Sequence, residues 1–150
     1  MYGDPTVIRG LARTLRDQAA DIRTEADHLV GLAEDVPWTG LSADAMRRRA
    51  RGRAGDLRRT ASEHDAAADA LDRHAREVER LQELIAATEQ RVRSLMDAAR
   101  ERLSTLAHQL LDGIRQALPD PLDELLDRFV PPPSGSREWL EVDLPGVRTP

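Results

Sequence analysis

The sequence predicts an all-α protein: an antiparallel helical hairpin with a long second helix extending beyond it, then a short C-terminal helix and a loose tail. Three observations carry that expectation. Apolar residues recur at sevens along most of the 150 residues. One helix-breaking knot, Val36-Pro37-Trp38-Thr39-Gly40, interrupts the pattern near residue 40. Between Gly55 and Gly113 neither Gly nor Pro occurs, so nothing local stops a helix there.

The first helix has a clear start. Asp4 is suited to cap the free amides and Pro5 fits the first helical position. Ile8, Leu15, Ile22, Leu29 and Val36 then repeat at sevens, with Leu11, Ala19, Ala26 and Ala33 filling the turns between. A single apolar stripe on an otherwise charged helix must be buried against a partner.

The knot supplies the reversal. Pro37 pushes the residue before it out of the α region, and Gly40 adopts backbone conformations that other residues resist. Trp38 is expected to plug the bend, worth roughly 1.5–3 kcal/mol if buried. Ser42 is the expected N-cap of the second helix, with Asp44 in its first turn. Its stripe is Ala50, Leu57, His64, Leu71 and Val78, flanked by Ala54, Ala61, Ala68 and Ala75. That alanine column lets two helices approach closely.

The same phase continues through Ile85, Val92, Leu95, Met96, Ala99, Leu103, Leu106 and Leu110. A continuous helix over 42–118 would be on the order of 110 Å long at 1.5 Å per residue. The first helix covers the second only to about residue 82, so this later band needs its own cover. A second chain or a fold-back of residues 90–118 would provide it, and the unbroken sevens favour the second chain. Pro119 and Pro121 end the pattern, and residues 122–130 suit a short helix. Pro131-Pro132-Pro133-Ser134-Gly135-Ser136 reads as a linker, and Trp139–Leu144 as a flexible tail or a strand added to a partner. The resulting organisation is a hairpin at 4–82, a helical extension and oligomerisation segment at 83–130, and a linker with tail at 131–150.

Composition narrows the chemistry. The chain has no cysteine, 3% aromatic residues and a formal charge of −5, so a disulfide framework and thiolate catalysis are excluded. Arg47, Arg48, Arg49, Arg51, Arg53, Arg58 and Arg59 cluster early in the second helix. At 100° per residue they surround every side except the apolar stripe, which fits a solvated surface better than a nucleic-acid groove binder. An acidic protein surface is the next alternative. His28, His64, His74 and His108 are scattered, and His64, which lies in the stripe, has no second His or acid four residues on to complete a helical metal site. No catalytic residue, metal site or cofactor is expected, and no nucleophile elbow or phosphate loop occurs. No apolar run approaches the ~20 residues of a membrane span, and Asp4 and Pro5 interrupt the place where a secretory signal's apolar stretch would begin.

The Trp38-Thr39-Gly40 turn between two long helices resembles the WXG family of helical-hairpin proteins exported by type VII (ESX) secretion systems. The opening Tyr2-Gly3-Asp4-Pro5 and the run Ile8-Arg9 through Ile22-Arg23 look like the start of actinobacterial members. The resemblance covers roughly residues 4–82 and implies a non-enzymatic secretion substrate, or the pairing partner of one. It also implies a four-helix bundle with a second hairpin of the same or another protein, contact with the ESX machinery, and a cytoplasmic chain before export without stable membrane insertion. Such substrates carry a tyrosine followed four residues later by an acid. Here His74 and Val78 take those places and Glu77 stands one residue early, so the export signal is degenerate and a partner is expected to supply it. A structural coiled coil and the N-terminal targeting module of an exported toxin are the alternatives.

Overall fold

The computed structural model describes residues 3–113 and 118–147. Regular structure among the described residues is helical: α1 spans Pro5–Glu34, α2 Leu41–Leu111 and α3 Pro121–Arg128, followed by a short 3-10 helix over Arg137–Glu141. One antiparallel bridge pairs Leu144 with Val147. Two compact units result, residues 3–78 and a unit from Glu79 onward, each described by itself below.

In the first unit α1 opens as its sequence requires. Asp4 accepts a hydrogen bond from the Thr6 amide at 2.8 Å, and Pro5 sits in the first turn. At the other end Asp35 caps the helix through its amide to the Gly31 carbonyl at 3.0 Å. Gly40 then takes φ +104°, a left-handed value that favours glycine. α2 begins one residue before the expected Ser42 cap. The Asp44 amide donates to the Gly40 carbonyl at 3.0 Å, which brings Leu41 into the first turn.

The seam between α1 and α2 is built of alanine. Ala12, Ala19, Ala26 and Ala33 on α1 are buried, as are Ala43, Ala50, Ala54, Ala61, Ala68 and Ala75 on α2. The larger residues expected at the centre lie beside this column instead. Ile8, Leu15, Ile22, Leu29, Val36, Leu57 and Leu71 are half-buried, Val78 is buried, and Leu11 is 54% exposed. Trp38 is 48% exposed and does not plug the bend. Ala33 and Ala43 already close the seam at the turn, which leaves the indole outside.

The second unit revises the expected tail and the expected oligomer seam. Ile85, Val92, Met96 and Ala99 of α2 form one core with Leu126, Trp139, Val142, Leu144 and Val147. Leu95, Phe129 and Leu140 pack at its margin. Ile85, Val92, Met96 and Ala99, the first part of the apolar band, are therefore covered by residues 126–147 of the same chain and not by a fold-back of 90–118. Trp139, 0% exposed, donates its indole N–H to the Pro133 carbonyl at 2.9 Å. Residues 131–147 are an ordered cover and not a loose tail. Leu103 and Leu106 are half-buried and Leu110 is 46% exposed.

Polar contacts fasten the cover. The Arg102 guanidinium donates Nε to both Asp123 oxygens at 3.1 and 2.9 Å, and Arg100 Nε reaches Asp127 at 3.3 Å. Arg91 Nε donates to the Gly146 carbonyl at 3.0 Å, and the Gly135 amide donates to Glu89 at 3.2 Å. The Ser134 hydroxyl and this amide, with Arg93 beside them, hold the Glu89 carboxyl below its ordinary range. Arg102 does the same for Asp123. α2 ends at Leu111, short of the expected residue 118, because Gly113 takes φ +67° and its amide turns back to the Leu110 carbonyl. Residues 114–117 lie outside the described residues.

Candidate functional site

Residues 3–78 have two dissimilar edges. A step of four residues turns a helix by about 40°, so Ile8, Ala12 and Arg16 lie side by side across α1, as do Leu15, Ala19 and Arg23. On α2 the same step sets Leu57, Ala61 and Asp65 in one row and His64, Ala68 and Asp72 in the next. In every row alanine is the buried middle residue. One flank is ionic and the other is apolar or, at His64, aromatic.

The ionic flanks meet. Arg16 donates to Asp69 and Asp72, both at 2.7 Å, and Arg23 to Asp65 at 2.6 Å. Arg58 donates to Asp27 at 2.6 Å, and Arg51 pairs with Glu34. Partner numbers on α2 fall from 72 to 51 as those on α1 rise from 16 to 34. The polarity also reverses midway: arginine stands on α1 towards its start and on α2 towards the turn. Any slip of one helix along the other would bring like charges together. Asp72 and Asp69 raise the pKa of Arg16 further above its already high ordinary value.

Because the charged flanks share one edge, the apolar flanks share the other. Ile8, Leu15, Ile22, Leu29 and Val36 from α1 line it with Leu57, His64, Leu71 and Val78 from α2. Nearly all are half-buried and not enclosed. Three large apolar side chains of α1 are more than half exposed, Val7, Leu11 and Leu32, and all lie just outside this edge. His64 sits within it, its Nδ1 3.0 Å from the Thr60 carbonyl. The edge is an unclosed apolar surface about four heptads long.

At the turn, Arg47 Nη2 donates to the carbonyls of Val36 at 2.9 Å and Trp38 at 3.3 Å. Arg51 and Arg58 are exposed, as a solvated surface requires, and with the half-buried Arg47 they also reach the turn or α1. The detectable signal was the presence of Asp27 and Glu34 at matching distances from the bend. Arg59 pairs locally with Asp56. Arg48, Arg49 and Arg53 are exposed.

The three export-signal positions sit on neighbouring turns of α2 and differ in burial. His74 and Glu77 are exposed, whereas Val78 is 2% exposed beside Gly3 and Ile8. An acid at position 78 would be buried, which is a physical reason for valine there. Among the described residues no group of three or more His, Asp or Glu is placed to hold a metal ion, and no helix is long and apolar enough to cross a membrane.

No known family, curated protein or solved structure matches the chain. The functional reading rests on the geometry.

Proposed function

We propose that residues 3–78 are an antiparallel helical hairpin and that the chain is a non-enzymatic protein associated with type VII (ESX) secretion. It acts as a substrate or as the pairing partner of a substrate. Its apolar edge packs against a second helical hairpin to make a four-helix bundle. One observation carries this reading: the two edges of the same seam differ, one closed by charge pairs in register and the other left apolar. A protein that worked as a lone pair of helices would gain nothing from leaving the second edge open. The Trp-x-Gly turn and the length of the two helical segments support the placement among WXG-like hairpins.

Because Val78 is buried where a signal acid would stand, the partner supplies the tyrosine-acid signal. The test is secretion from cells with an active type VII system. Expressed alone, the protein should stay in the cell; co-expressed with a hairpin partner that carries the intact signal, it should appear in the medium. Efficient export of the lone chain would overturn the partner-signal reading.

A further inference from the structure

A second open apolar surface lies in the other unit, and it does not depend on the pairing of residues 3–78. The outward side of α3 and the 143–145 segment enclose a groove of about 720 Å³ lined by Pro121, Leu125, Phe129, Val130, Leu144 and Pro145. Volumes of this size suit a bound segment of several side chains. Leu125 is 49% and Val130 83% exposed, although Leu126 and Leu144 beside them are buried at 1% and 7%. Residues 121–147 thus spend one apolar face on their own core and present a second face to solvent.

The lining of this groove carries two acids, Glu124 and Asp143, against one arginine, Arg128. Residues 118–147 contain seven acids against two arginines. Asp123 and Asp127 are engaged by arginines of α2, and Asp120 caps α3 through the Leu122 amide at 2.9 Å. Glu124 and Asp143, both on the rim, form no ion pair among the described residues, and Arg128 is the single cation lining the groove.

We infer that this groove docks a basic amphipathic segment of another protein. Apolar side chains of the segment fill the space over Leu125 and Val130, and its arginines or lysines meet Glu124 and Asp143. Apolar contact supplies the affinity and the acidic rim selects the sign of the partner.

The test uses the full chain and a fluorescein-labelled 14-residue helical peptide with a leucine face and an arginine face, read by anisotropy. Saturable one-to-one binding is expected, weakening as salt rises. The glutamate-faced peptide should bind at least tenfold more weakly. Leu125→Asp and Val130→Asp alter exposed positions, so the fold is retained, as buried Trp139 emission will report; each should weaken binding tenfold or more. Glu124→Lys with Asp143→Lys should weaken it severalfold and flatten its salt dependence. Leu11→Asp, in the other unit, should leave it unchanged. Equal binding by the groove variants, or by the glutamate-faced peptide, would overturn the inference. A concentration-dependent rise in mass that Val130→Asp abolishes would overturn it in favour of a second copy of this chain.

Discussion

Trp139→Ala tests whether the C-terminal residues are a structural cover. An aromatic side chain buries about 150–250 Å², which at about 25 cal/mol per Å² gives roughly 4–6 kcal/mol. A realistic unfolded chain already hides part of that area, and trimming by roughly 10–40% leaves about 3–5 kcal/mol. Truncation of buried aromatics falls in the same range of ~3–5 kcal/mol. The change also strands the Pro133 carbonyl, which now accepts the indole N–H. Against a typical total of ~5–15 kcal/mol, such a loss should open residues 121–147 locally before the rest unfolds. Hydrogen exchange resolves this by segment: the amides of Trp139–Val147 and of α2 around Val92 should lose protection together. Trp139→Phe keeps the apolar bulk and should cost less. Protection lowered by less than about 1 kcal/mol in Trp139→Ala would refute the packing of Trp139 against Ile85, Val92 and Met96.

Trp38→Ala should cost less than about 2 kcal/mol in urea unfolding, because half of the indole is already in water; a larger loss would restore it as the plug of the turn. Glu89 and Asp123 are held below their ordinary carboxyl range. Their contribution to folding is therefore complete above that range and is lost as pH falls through the lowered values. Stability of the second unit should drop on acidification, and Glu89→Gln should flatten the drop in a pH series of urea midpoints. Arg16→Asp should destabilise the first unit, and adding Asp69→Arg with Asp72→Arg should recover most of the loss. Exposed pairs of this kind are worth about 0.2–1 kcal/mol each, so recovery is the informative readout in a thermal-melt cycle.

Periodicity in the sequence located the helices because it is a local signal. Asp4, Pro5, the break at 36–40 and the sevens from Ile8 onward define α1 and most of α2. The alanine column also marked a close seam, although Ala12 and the central place of alanine over leucine required the structure. Two things were not legible. Trp139, Val142, Leu144 and Val147 have no helical period and follow three prolines, so nothing local announces their burial; it comes from a non-local match to Ile85–Ala99. The end of α2 was misplaced because Gly113 acts before Pro119 does. The two edges of the first unit were readable in principle. Arg16, Arg23, Asp27 and Glu34 share one strip of α1 and face the complementary sequence Asp72, Asp65, Arg58 and Arg51 on α2. Charge composition alone hides that order, since the signs cancel along the strip.

The central claim, that the apolar edge of residues 3–78 receives a second hairpin, is tested most directly by site-specific photo-cross-linking in cells carrying a type VII system. Cross-linkers at Leu11 and Leu32 stand beside the edge at exposed positions, and those at Thr24 and Asp69 stand away from it. The account predicts a covalent product with one small helical protein, either a second copy or a different chain, from Leu11 and Leu32 alone. Products of equal yield from Thr24 and Asp69, or none from Leu11 and Leu32, would contradict it.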